Sequence, residues 1–130
     1  MKFFSILQSI IFMLAIEVKI YRYLVIFNTI ISIAITHQII LYNIEYLNSK
    51  IYFILLYALI WFFSLFKILY FSKIGLKVYI LLVTFGFILN MFSDYKVFGP
   101  IYYFMTLFEH LIIGAIIALS FFSKLKNKFT

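Results

Sequence analysis

Four apolar stretches, Tyr23 to Tyr42, Ile51 to Ser72, Ile74 to Ser93 and Ile101 to Ser123, constrain the fold of this chain more than any other feature. Crossing ~30 Å of hydrocarbon as an α-helix takes roughly 20 mostly apolar residues. Inside lipid a helix satisfies its own N–H and C=O groups, whereas an open strand does not. At 130 residues there is room for one domain. With 67% hydrophobic and 12% charged residues, too few polar side chains exist to cover a water-facing surface. The expectation is an all-α membrane protein, an up-and-down bundle of four transmembrane helices in a single membrane domain.

Chain breakers fall between these stretches. Asn43 to Lys50 is polar, Lys73 to Lys77 contains Gly75, and Asp94 to Pro100 contains Gly99-Pro100. Pro100, the only proline, stands at the start of the last helix, where its missing N–H costs nothing. Loops this short predict that sequence neighbours pack side by side and antiparallel. Lys67 and Lys77 lie near helix ends, from which a long ammonium side chain snorkels to the interface.

Nine basic residues (Lys2, Lys19, Arg22, Lys67, Lys73, Lys77, Lys124, Lys126, Lys128) fall on one side of this arrangement and two, Lys50 and Lys96, on the other. The positive-inside rule then puts both termini in the cytoplasm. Tyr42, Tyr46, Tyr52, Tyr95, Tyr102 and Tyr103 form an outer aromatic belt. The tail lysines Lys124, Lys126 and Lys128 read as a topology anchor that also meets anionic headgroups.

Phe3 to Ile16 is apolar too, but as a helix it reaches only about 21 Å. It is expected to lie in the inner interface or to extend the first membrane helix; a fifth span is the alternative. Glu17 is expected at the interface, paired with basic neighbours such as Lys19 and Arg22.

The net charge of +7 does not indicate a nucleic-acid partner, because the basic residues are scattered singly between apolar runs. There are no cysteines, which removes disulfides, thiolate metal sites and cysteine nucleophiles. HExxH, Gly-x-Ser-x-Gly, phosphate-cradling glycine loops and paired carboxylates are all missing, so an enzyme of a familiar class is not expected.

Chemistry is concentrated in Glu109-His110, roughly 12 to 14 Å into the last helix from Ile101. A lone ionised carboxylate at that depth is expensive, so Glu109 is expected to be protonated, paired, or facing a wet cavity. His37, between Thr36 and Gln38, lies at similar height. Ser32, Tyr57, Trp61, Thr84 and Thr106 are within about a turn of that level, and Asn90 is nearer the outer surface.

Three roles are open for Glu109, His110 and His37. They are structural glue, with a His37 to Glu109 pair setting register; a proton or cation site open to the outer face; and, with the two histidines as axial ligands, a haem b site. A single metal held by His37, Glu109 and His110 is disfavoured, since adjacent helical residues point about 100° apart. No other cofactor is implied. Gly114 and Ala118 follow His110 at steps of four, a small-residue stripe that lets a helix approach closely, within the bundle or from a partner.

From Trp61 through "FSKIGLKVYILLVTFGFIL" to "EHLIIGAIIALSFFSKLKNKF", the second half resembles small four-helix inner-membrane proteins common in bacteria, which have no assigned activity. The resemblance implies a bacterial cytoplasmic membrane protein. Lipid, other membrane subunits or a second copy are the expected partners, and the expected role is that of a non-enzymatic subunit or accessory of a membrane assembly. The alternative is a small proton-coupled transporter or channel, favoured if Glu109 and His110 line a cavity.

Overall fold

The computed structural model describes residues 2–45, 50–92 and 99–130, with all side chains in those ranges except those of Lys2, Phe3, Ser5, Asn43, Glu45 and residues 90–92. Tyr46, Tyr95 and Lys96 lie outside the described residues, as do most of the first and third connections and the side chain of Asn90. The described chain is helical: α1 Lys2–Glu45, α2 Ile51–Leu69, α3 Lys73–Phe92, α4 Pro100–Phe122, and a short 3-10 helix Lys124–Lys128. Among the described residues three helices are long and apolar enough to cross a membrane: α1 over Ile6–Tyr42, α2 and α4.

α1 runs 44 residues without a break, about 66 Å at 1.5 Å per residue. Phe3 to Ile16 therefore continues the first helix instead of forming a separate interfacial one. Leu14 and Val18 touch the core, but most of this arm is exposed, from Phe4 to Ile16.

The turn between α2 and α3 is built by its own residues. The N–H groups of Tyr70 and Ser72 both donate to the Lys67 carbonyl, closing the last turn of α2. Phe71 then takes φ 58°, a left-handed conformation costly for a bulky residue. Its ring offsets that cost by packing between Tyr21 and Phe129, at 5.2 and 5.4 Å between centroids. Ser72 Oγ accepts the Gly75 N–H at 3.2 Å and so caps α3.

Spatial order differs from the expectation for neighbouring helices. α3 packs on α2, α2 on α1, and α1 on α4, but among the described residues no comparable contact joins α3 to α4. The last two sequence neighbours stand apart, and a cleft separates them.

The two ends of the bundle also differ. The end bearing the α2–α3 turn and the chain terminus, here the basic end, is densely packed around Tyr21, Leu65, Ile68, Tyr79 and Ile116. After the 3-10 helix the chain folds back over this end. Thr130 N–H donates to Phe71 O at 3.0 Å, and Lys73 N–H donates to Thr130 O at 2.8 Å. Leu125 and Phe129 are buried beneath this strap. The tail thus forms part of the fold, in addition to any anchoring by its lysines; Lys128 Nζ sits 6.0 Å from the Phe71 ring centroid.

Glu17 departs from its expected pairing. It is half-buried, its Oε2 has no hydrogen-bond partner, and no ion pair to Lys19 or Arg22 forms. Arg22 instead lies over the Phe71 ring at 5.8 Å, because the aromatic cluster at the helix ends offers it a cation–π surface.

Candidate functional site

Away from the basic end the helices diverge around a cavity of about 420 Å³. It runs from the level of Glu109 to the turns that carry Ile39, Phe53 and Tyr102. Its back wall comes from α1 and α2, and its sides from α3 and α4, the pair that does not pack together.

On α1, Ser32 and Thr36 face the cavity, and Asn28 one turn further in is buried. These three stand at steps of four, so each is rotated only about 40° from the last and they form one polar stripe. Asn28 Nδ2 donates to Tyr79 Oη at 3.1 Å, joining α1 to α3. On α2, Phe53, Tyr57 and Trp61 repeat at the same step and make an aromatic wall. Tyr57 Oη donates to the Leu82 carbonyl at 2.8 Å. Gly86 leaves space for that hydroxyl, because a Cβ there would come within 2.7 Å of it.

A relay of hydrogen bonds connects this wall to the carboxyl. Trp61 Nε1–H donates to Ser32 Oγ at 3.0 Å, and Ser32 Oγ–H donates to Glu109 Oε1. An indole N–H is a donor only, so Ser32 accepts from Trp61 and is left with its one proton to give to Glu109. In this arrangement Glu109 Oε1 is the acceptor of the Ser32 hydroxyl. Glu109 Oε2 has no hydrogen-bond partner among the described residues.

His110 is exposed and lies at the cavity margin. Its Nδ1 is 2.6 Å from the Thr106 carbonyl. Because a carbonyl only accepts, Nδ1 carries the hydrogen and Nε2 is the nitrogen left for other partners.

His37 is also exposed and is not part of the cavity lining. The expected His37 to Glu109 pair does not form; Ser32 takes the place of the histidine. Five residues separate Ser32 from His37, which turns His37 about 140° away from the Ser32 face. For the same reason His37 and His110 do not share the cavity. Among the described residues no group of three or more His, Asp or Glu side chains is placed to hold a metal ion.

The stripe after His110 also lies outward. Gly114 and Ala118 are exposed, and a Cβ on Gly114 would meet nothing within 4 Å. The close approach this stripe permits is therefore not used within the described bundle.

Sequence reasoning included Ser32, Tyr57, Trp61 and Thr106 among possible hydrogen-bonding groups but did not single out Asn28, Tyr79 or the relay. The regular spacing of Asn28, Ser32 and Thr36 in an otherwise apolar helix was the available signal. Ser32→Ala is expected to strand the Trp61 N–H and cost about 1–3 kcal/mol. Trp61 is the only tryptophan, so its emission reads the change directly; an unaltered spectrum would show that Ser32 does not hold the indole.

No protein-family model, curated protein or solved structure matches this chain.

Proposed function

We propose that this chain is a four-span protein of the cytoplasmic membrane, with both termini cytoplasmic, that takes a proton or another cation at Glu109 from the outer side. In this reading α1 crosses between about Tyr21 and Tyr42, and its more N-terminal part stays on the cytoplasmic side. The basic end is the cytoplasmic end by the distribution of Lys and Arg, and the cavity opens away from it.

The observation that carries the proposal is the Glu109 carboxyl on the wall of a cavity, with one oxygen fixed by Ser32 and the other without a hydrogen-bond partner among the described residues. An accessory subunit needs only a dry bundle whose polar groups pair with one another, so an unspent carboxyl oxygen beside a cavity favours a binding or proton-coupled role. Polar membrane groups facing a cavity commonly mark ion or substrate pathways.

Treating the protein in lipid nanodiscs with a lipophilic carbodiimide tests this. Glu109, one of four acidic residues, is expected to carry the adduct, located by mass spectrometry of the proteolysed chain. An unmodified Glu109 under conditions that label other carboxyls would sink the proposal.

A further inference from the structure

The size and lining of the cavity narrow what Glu109 binds. We propose that the ligand is a lipophilic organic cation, an amine or quaternary ammonium bearing apolar groups, which arrives from the bilayer through the cleft between α3 and α4. This inference rests on the reading of Glu109 as a binding carboxyl.

A proton or a bare metal ion does not need a cavity of about 420 Å³. That volume lies within the roughly 300–1,000 Å³ range of small-molecule pockets. Among the described residues Glu109 is the one acidic side chain in its lining, and a single carboxylate matches a ligand with a single positive charge.

The aromatic wall matches the rest of such a molecule. Phe53, Tyr57 and Trp61 line one side; they supply apolar area, and aromatic rings attract organic cations. Trp61 is held in place by stacking on Tyr79, 5.1 Å between centroids, and by its hydrogen bond to Ser32. The same indole that forms part of the wall orients the serine that fixes the carboxyl, so the apolar and charged parts of the site are built together.

Access follows from the packing order. α3 and α4 do not pack together, and both contribute to the lining, with Phe87 on one side and Thr106 on the other. A solute dissolved in the membrane reaches Glu109 between them without passing the closed basic end.

The test uses benzyltrimethylammonium and neopentylbenzene, which have nearly the same shape but differ by the charge on the central atom. Each is titrated into the protein in nanodiscs while Trp61 emission is followed. The cation is expected to give a saturable change and to protect Glu109 from the carbodiimide, whereas the hydrocarbon does neither. Glu109→Gln keeps an acceptor for Ser32 and is expected to weaken cation binding about tenfold or more, as loss of a charged partner should.

Equal responses to the two compounds in the wild-type protein would overturn the inference, and that comparison holds even if the variant folds poorly. If Glu109 is labelled but the cation neither protects it nor alters Trp61 emission, the lipophilic-cation inference fails and the Glu109 site stands. If Glu109 is not labelled at all, the failure lies in the underlying reading of the site.

Discussion

Phe129→Ala is expected to lower stability by about 3–5 kcal/mol, the range for removing a buried aromatic ring. Phe129 is 5% exposed and meets Tyr21 and Phe71 edge-on, at 5.9 and 5.4 Å between centroids. Its loss leaves a void beside Phe71, whose left-handed backbone depends on that packing. The adjoining bonds between Thr130 and the α2–α3 turn should loosen with it. Thermal unfolding in detergent, read by Trp61 fluorescence, measures the effect. Phe122→Ala is the control, since Phe122 is 90% exposed and truncating it removes no internal contact. Equal losses for the two variants would show that the strap does not hold the basic end. The strap covers the end of the packed helices opposite the cavity.

The second large effect is expected at Gly75. A Cβ there would overlap Lys67 Cβ and come within 3.1 Å of the Lys67 carbonyl carbon and 3.2 Å of the Ile68 nitrogen. Part of the obstruction is backbone, which yields only if the two helix ends move apart. Gly75→Ala should therefore cost about 1–3 kcal/mol, the usual penalty for overpacking, despite alanine's better helix propensity. Gly114→Ala provides the contrast: its Cβ would meet nothing within 4 Å, so propensity alone acts and stabilises by up to about 1 kcal/mol. Unfolding of both variants in the same detergent checks the pair. A neutral Gly75→Ala would mean that α2 and α3 are not held as closely at the turn as the geometry requires.

Both effects depend on contacts between helices, and that is the level at which the sequence becomes hard to read. Helix formation was legible because long apolar runs have few alternatives once lipid is the solvent. Gly99 and Pro100 marked the start of α4, with Pro100 at its first position. Ser72 as the cap of α3 was not singled out, although a serine three residues before Gly75 is an ordinary capping arrangement.

The candidate site was legible only in part. Glu109 stood out because a carboxyl deep in an apolar helix is costly, and Ser32 and Trp61 were recognised as being at a compatible height. Their connection was not, since height along a helix fixes depth and says nothing about which way a side chain faces. His37 shows the consequence: near Glu109 in depth, it is rotated away from the α1 face that meets α4.

The sequence by itself determined that this is a helical chain with segments apolar enough for a membrane, and it singled out a carboxyl deep in the last apolar helix. Only the tertiary structure decided that α4 packs on α1 and stands off from α3, that Ser32 rather than His37 holds Glu109, and that a cavity lies beside them. The physical reason is that these helices are apolar almost all round. Lipid and protein interior are both apolar, so hydrophobicity does not orient such helices, and their packing is decided by the fit of a few small, polar and aromatic side chains.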